Sequence, residues 1–170
     1  MRTLFHTLHT VLSQGKDAVL VTVVASSGST PRGAGARMLI TEEGRLCGTI
    51  GGGAVEFQGE QTALQVLREK NSHTKHFQLH PNQVEDLGMI CGGDVDVYFR
   101  YIPAHDGALL TLTERIEQLY QTGEQSWLVC EITDDGSGAM GLYGKDTGLS
   151  GMRVPEALLE RLGSKPFQFT

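Results

Sequence analysis

Three glycine-rich segments each present a residue able to do chemistry. Ser27-Gly28-Ser29-Thr30-Pro31-Arg32-Gly33-Ala34-Gly35 sets a guanidinium among hydroxyls. Ile50-Gly51-Gly52-Gly53-Ala54-Val55-Glu56 sets three consecutive glycines where a helix begins. Met89-Ile90-Cys91-Gly92-Gly93-Asp94 sets a thiol beside two glycines. Glycine clusters mark places where the backbone takes positive φ or comes close to something else. A guanidinium, a helix start and a thiol together suit an anionic ligand that also offers a soft atom.

Each group carries a definite chemistry and a plainer alternative. Arg32, with Ser29 and Thr30 beside it, can hold phosphate or carboxylate by charge-assisted hydrogen bonds, and Arg37 can extend the same positive pocket. The alternative is an ordered loop with a solvated arginine. Gly51, Gly52 and Gly53 precede a helix whose first amides attract anions. They serve equally as a tight strand-to-helix turn, with Glu56 answering the helix dipole. The run is neither a dinucleotide fingerprint nor a phosphate-binding P-loop. Cys91, followed by Gly92 and Gly93, lies where backbone amides can stabilise a thiolate. That makes it the candidate nucleophile, sulfur carrier or metal ligand and the expected most reactive thiol. Cys47 and Cys130 fall within strand patterns and read as core. The histidines are scattered: His73, His76 and His80 lie on an extended segment that separates their faces. Asp94 and Asp96 share a strand face that reads as solvated.

The elements that must position these groups follow from apolar spacing. Leu4, Leu8, Val11 and Leu12 predict a helix over 3–14, and the β-branched run 17–26 predicts a strand buried on both faces. Residues 36–41 and 45–50 flank Glu42-Glu43-Gly44 as a hairpin. A helix runs from the glycine turn to about Lys70, and 75–80 is extended. Residues 94–102 alternate as a half-buried strand, with Val95, Val97, Phe99 and Tyr101 inward and Asp94, Asp96 and Arg100 outward. Leu109, Leu112, Ile116 and Leu119 mark a third long helix ending at Gly123. Strands follow at 126–133, 139–143 and 147–152. A last helix opens at Pro155 and closes at Gly163. The expected fold is one mixed α/β domain spanning 1–170, a single sheet with flanking helices.

Composition excludes several classes. The chain has 170 residues, enough to bury roughly 70% of its unfolded surface without staples. Its net charge of −6 argues against nucleic acid as a main partner. Three widely spaced cysteines form no CxxC pair, which disfavours a zinc ribbon or a disulfide framework and fits a reducing, cytoplasmic setting. No apolar stretch is long enough to span a bilayer, and residues 1–16 do not read as a signal peptide.

The motifs also carry a family resemblance. Val19–Val24 running into Gly28-Ser29-Thr30-Pro31-Arg32-Gly33-Ala34-Gly35-Ala36-Arg37-Met38 resembles the opening motif of the xanthine dehydrogenase accessory factors, the XdhC/CoxI family. Gly48-Thr49-Ile50-Gly51-Gly52-Gly53-Ala54-Val55-Glu56 is similar to their second motif, and Met89-Ile90-Cys91-Gly92-Gly93 to their third. Residues 103–170 match in general layout. The resemblance implies an accessory factor rather than an enzyme with turnover. It would bind and protect the molybdenum cofactor, a molybdopterin with or without a nucleotide, support its sulfuration and insert it into a molybdenum hydroxylase apo-enzyme. The implied cofactor-binding set is Ser29, Arg32, Arg37, Gly51, Gly52, Gly53, Glu56, Cys91, Gly92 and Gly93, with Cys91 toward molybdenum. A cysteine desulfurase is the implied sulfur source. Many relatives carry a second, Rossmann-like domain, for which residues 1–170 hold no pattern. The aromatic tail Pro166-Phe167-Gln168-Phe169 leads us to expect a homodimer. Two other classes compete: a small sulfur or group transferase with Cys91 as nucleophile, and a non-catalytic interaction module.

Overall fold

The computed structural model describes residues 1–24, 33–78 and 94–166. Its elements are α1 (Arg2–Ser13), β1 (Ala18–Val24), β2 (Arg37–Thr41), β3 (Gly44–Gly48), α2 (Gly53–Glu69), β4 (His73–Gln78), β5 (Asp94–Ile102), α3 (Gly107–Thr122), β6 (Ser126–Cys130), β7 (Met140–Gly144), β8 (Gly148–Ser150) and α4 (Glu156–Leu159). This is the mixed α/β order expected from apolar spacing. The strands divide between two sheets, however. Five form an antiparallel sheet in the order β3-β2-β1-β5-β4, and β6-β7-β8 form a small sheet of their own. The physical reason is burial. Met140 and Leu142 of β7 pack on a face of the large sheet, so the last strands cover that sheet instead of lengthening it.

Two cores result. On one face Val19, Val21, Val23, Met38, Ile40, Val97 and Phe99 pack against Val55, Ala63 and Val66 of α2. On the other, Leu20, Leu39 and Ile102 meet Leu8 and Leu12 of α1, Leu109 and Ile116 of α3, and β7. Strand β1 sits at the centre of the sheet and is buried on both faces, as its unbroken apolar run implies.

The expected half-burial of β5 needs correction. Only its start at Asp94 and Asp96 is open; Tyr98, Arg100 and Ile102 are buried on the face assigned to solvent. The covering layer of α1, α3 and β7 comes from segments distant in sequence, so local alternation does not reveal it. The last helix is also shorter than expected: it ends at Leu159, with Glu160 right-handed as its cap.

Local chemistry fixes the element ends. Asp106 caps α3 by accepting from the Leu109 amide at 3.1 Å, and Gly123 closes it in the left-handed conformation. Asp17 ties the start of β1 to the end of β5: the Tyr101 hydroxyl donates to it at 2.6 Å and the Ala104 amide at 2.7 Å. Burial first, and that bond to Asp17 next, push the Tyr101 phenol up to about 12. The same bond, as the largest cause, lowers the Asp17 carboxyl. Among the described residues no helix is long and apolar enough to cross a membrane.

Candidate functional site

Antiparallel pairing brings the three motifs to one end of the large sheet. Strands β1, β3 and β4 finish there, and β2 and β5 start there. The first motif leaves β1 after Val24 and re-enters at Gly33; the second follows β3 after Gly48; the third leads into β5 at Asp94. Ser29, Arg32, Cys91, Gly92 and Gly93 lie outside the described residues. Arg37, Gly51, Gly52, Gly53 and Glu56 lie within them.

The second motif is a closed turn. Gly51, Gly52 and Gly53 all have positive φ, at 126°, 81° and 62°, which explains three glycines in a row. Gly48 just before them also has positive φ. A Cβ there would stand 2.3 Å from the Arg37 carbonyl oxygen, so backbone approach is as tight as it can be. The turn folds over Glu56. Its Oε2 accepts from the Gly52 amide at 2.6 Å and from the Thr49 hydroxyl at 2.5 Å. Its Oε1 lies 3.2 Å from Arg45 Nη1, which also donates to the Gly48 carbonyl at 2.7 Å. The helix dipole of α2 is thus answered by the chain's own carboxylate.

A second cluster lies deeper, between the large sheet and β6–β7. Arg37, the first residue of β2, donates through Nη1 to the Gly35 carbonyl at 3.1 Å, and its buried Nε has no hydrogen-bond partner. Arg100 of β5 is only 9% exposed, and its Nη1 is likewise buried and unpartnered. Neither forms an ion pair with a described residue. The Tyr98 hydroxyl donates to the Thr133 carbonyl at 3.4 Å; burial raises its phenol while the Arg100 charge opposes that rise.

Cys130, at the end of β6, borders the same cluster. It is an exposed residue rather than the core residue its strand pattern suggested, because β6 is half-covered and ends there. Yet burial is the largest influence on its thiol and raises the pKa, against the pull of Arg37 and Arg100. The two facts describe different things. Protein crowded around one side of the sulfur governs the pKa, and the accessible surface of the residue governs reach. Cys47 is partly buried on β3.

The histidine segment is tied to the start of β5. His76 Nδ1 lies 2.7 Å from Asp96 and its Nε2 3.4 Å from Asp94; the Asp96 bond first raises this exposed imidazole's pKa. Among the described residues no group of three ligating side chains could hold a metal ion.

Sequence reasoning missed Arg100 and Cys130. Alternation put Arg100 on the face of Asp94 and Asp96, and the layer that buries it comes from segments distant in sequence. No sequence signal marked Cys130, because its neighbours across the fold come from β2 and β5.

Known proteins match this chain in sequence and in fold. The family model described as XdhC and CoxI family matches residues 11–78. The chain is 30% identical over 143 residues to the molybdenum cofactor insertion chaperone PaoD of Escherichia coli K12, covering 81% of this chain and 44% of PaoD. It is 40% identical over 76 residues to the uncharacterized protein YqeB of the same organism, covering 45% of this chain and 14% of YqeB. A crystal structure of a xanthine dehydrogenase from Bacillus halodurans shares the fold with a TM-score of 0.57 at 20% identity, over 92% of this chain and 44% of that one. The chain therefore spans less than half the length of these relatives. The segment from Val11 to Gln78, which the model of the XdhC and CoxI family matches, holds β1, the β2–β3 hairpin, the glycine turn, α2 and β4.

Proposed function

We propose that this chain is a molybdenum cofactor chaperone that binds the cofactor and delivers it to a molybdenum hydroxylase apo-enzyme. The reading draws on the family match and on the likeness to an insertion chaperone. The observation that carries it to specific residues is the pair of arginines with buried, unpartnered nitrogens on one face of the sheet, Arg37 at the end where the motifs meet and Arg100 further along β5. Orphaned guanidinium nitrogens in a protein layer fit the anionic end of a pterin phosphate.

In this reading Arg37 and Arg100 hold negative charge, and the backbone around Gly51–Gly53 offers a surface that a planar ligand can approach. Glu56 fixes that turn from within and does not itself contact the ligand's anionic end. Ser29, Arg32, Cys91, Gly92 and Gly93 complete the set through their motifs, with Cys91 toward the metal. The bound cofactor supplies molybdenum–dithiolene chemistry to the enzyme that receives it. Sulfuration with a cysteine desulfurase, a xanthine dehydrogenase-like client, a cytoplasmic site and a homodimer belong to the same proposal.

The test is reconstitution of an apo molybdenum hydroxylase with free cofactor, with and without this chain. Faster or fuller activation by the chain, without its consumption, supports the proposal. Activation equal to that by cofactor alone overturns it. Turnover of a sulfur donor by the chain alone, lost in Cys91→Ser, would instead establish the transferase reading.

A further inference from the structure

We infer that Arg37 and Arg100 form a subsite for a phosphate-monoester group, set between the five-stranded sheet and the β6–β7 layer. The inference deepens the function proposed above and rests on it, since it names the residues that hold the ligand's doubly charged end.

Register places the pair. Arg37 lies opposite Thr22 of β1, and Thr22 lies opposite Tyr98 of β5; Arg100 lies opposite Leu20, whose other partner is Leu39. The two arginines are therefore two strands apart, about 10 Å, and offset by two residues, about 7 Å. Their parity matches Leu20, Leu39 and Ile102, so both stand on the face covered by α1, α3 and β7. Thr22 stands in the row between them on the same face and adds a hydroxyl. Cys130, at the end of β6, is close enough to both guanidiniums for their charges to reach its thiol.

A buried guanidinium nitrogen without a partner costs folding free energy. Two of them on one face, with no described carboxylate in ion-pair contact, leave positive charge and hydrogen-bond donors unanswered. Asp135, whose charge reaches Tyr98, is committed to the Ser137 amide and hydroxyl at 3.0 and 2.6 Å. A tetrahedral dianion supplies several acceptors at once and matches forked donors arriving from two directions. The Glu56 turn, already filled by its own carboxylate, offers no such vacancy of charge.

The experiment is thermal unfolding of the full chain in inorganic phosphate and in phenyl phosphate, each against sodium chloride at matched ionic strength. Both phosphates should raise the midpoint saturably above the chloride control, by about 3 °C at ten times Kd for a chain of this size. Arg100→Met and Arg37→Met should each weaken that response at least tenfold. Arg100→Met should also start no lower than the unmodified chain, because it removes a buried unpaired charge. A phosphate response equal to chloride, or one unchanged in both variants, overturns the subsite. A response to inorganic phosphate with phenyl phosphate excluded overturns its assignment to a ligand's phosphate end. If Arg100→Met fails to fold, Arg37→Met and the unmodified titration still decide. No cofactor enters this measurement, so its failure with cofactor retention intact removes the subsite and leaves the chaperone proposal standing.

Discussion

Glu56 accepts a hydrogen bond from the backbone amide of Gly52 at 2.6 Å, so the first turn of α2 closes on its own negative charge. The relationship explains the spacing of the second motif. Three glycines bend the chain back, and a glutamate three residues after the last of them fills the bend.

Replacing Glu56 with Gln should therefore destabilise the fold without weakening phosphate binding. The variant loses charge-assisted bonds to Gly52 and Thr49 and the contact with Arg45. A charged hydrogen bond in a site this buried contributes about 1.5–3 kcal/mol, and Gln keeps part of it, so the expected loss is about 1–2 kcal/mol. Urea unfolding measures the first part; phosphate titration measures the second. A tenfold fall in phosphate affinity would place the anion at the turn instead.

The Asp17–Tyr101 bond should confer stability over a defined pH window. The Asp17 carboxyl is lowered from 3.8 in the folded chain, so its contribution is present above that value and lost as pH falls through the folded pKa. The Tyr101 phenol is raised from 10.0 to about 12, so its contribution is full below pH 10 and lost as pH rises toward 12. Tyr101→Phe should cost about 1 kcal/mol near neutrality and flatten the alkaline limb of stability against pH. An alkaline limb unchanged in that variant would contradict the assignment.

Cys130 should alkylate slowly for a reachable thiol. Burial raises its pKa above 9.0, so its thiolate fraction and its labelling rate should still be climbing past pH 9. Arg37→Met removes a group that opposes the rise and should move the profile to higher pH. Peptide-resolved mass spectrometry after timed labelling reads both. A rate that levels off below pH 9 would count against this account of the sulfur's surroundings.

Much of the fold was legible because its signals are local. The unbroken apolar run of β1, the hairpin at Glu42-Glu43-Gly44 and the helical spacing of α1 and α3 each declare themselves within a dozen residues. The site was legible only in part. The glycine turn could be read because positive φ leaves a compositional mark. The burial of Arg100 could not be read from alternation alone, since the layer that covers it is assembled from α1, α3 and β7. The division into two sheets was hidden for the same reason: which strands pair is decided by packing between distant segments. Cys130 looked like core because a strand pattern does not say which side of a sheet another layer leaves open.

Retention of the molybdenum cofactor by this chain underlies the proposed function. The most direct test is to incubate the purified full chain with cofactor released from a molybdenum enzyme, separate it by size, and quantify metal and pterin in the protein fraction. Molybdenum and pterin should be retained together in near-equal amounts, with retention falling at least tenfold in an Arg37→Met, Arg100→Met double variant that remains folded. Neither molybdenum nor pterin in the protein fraction, at concentrations where a known cofactor-binding protein retains both, would contradict that function.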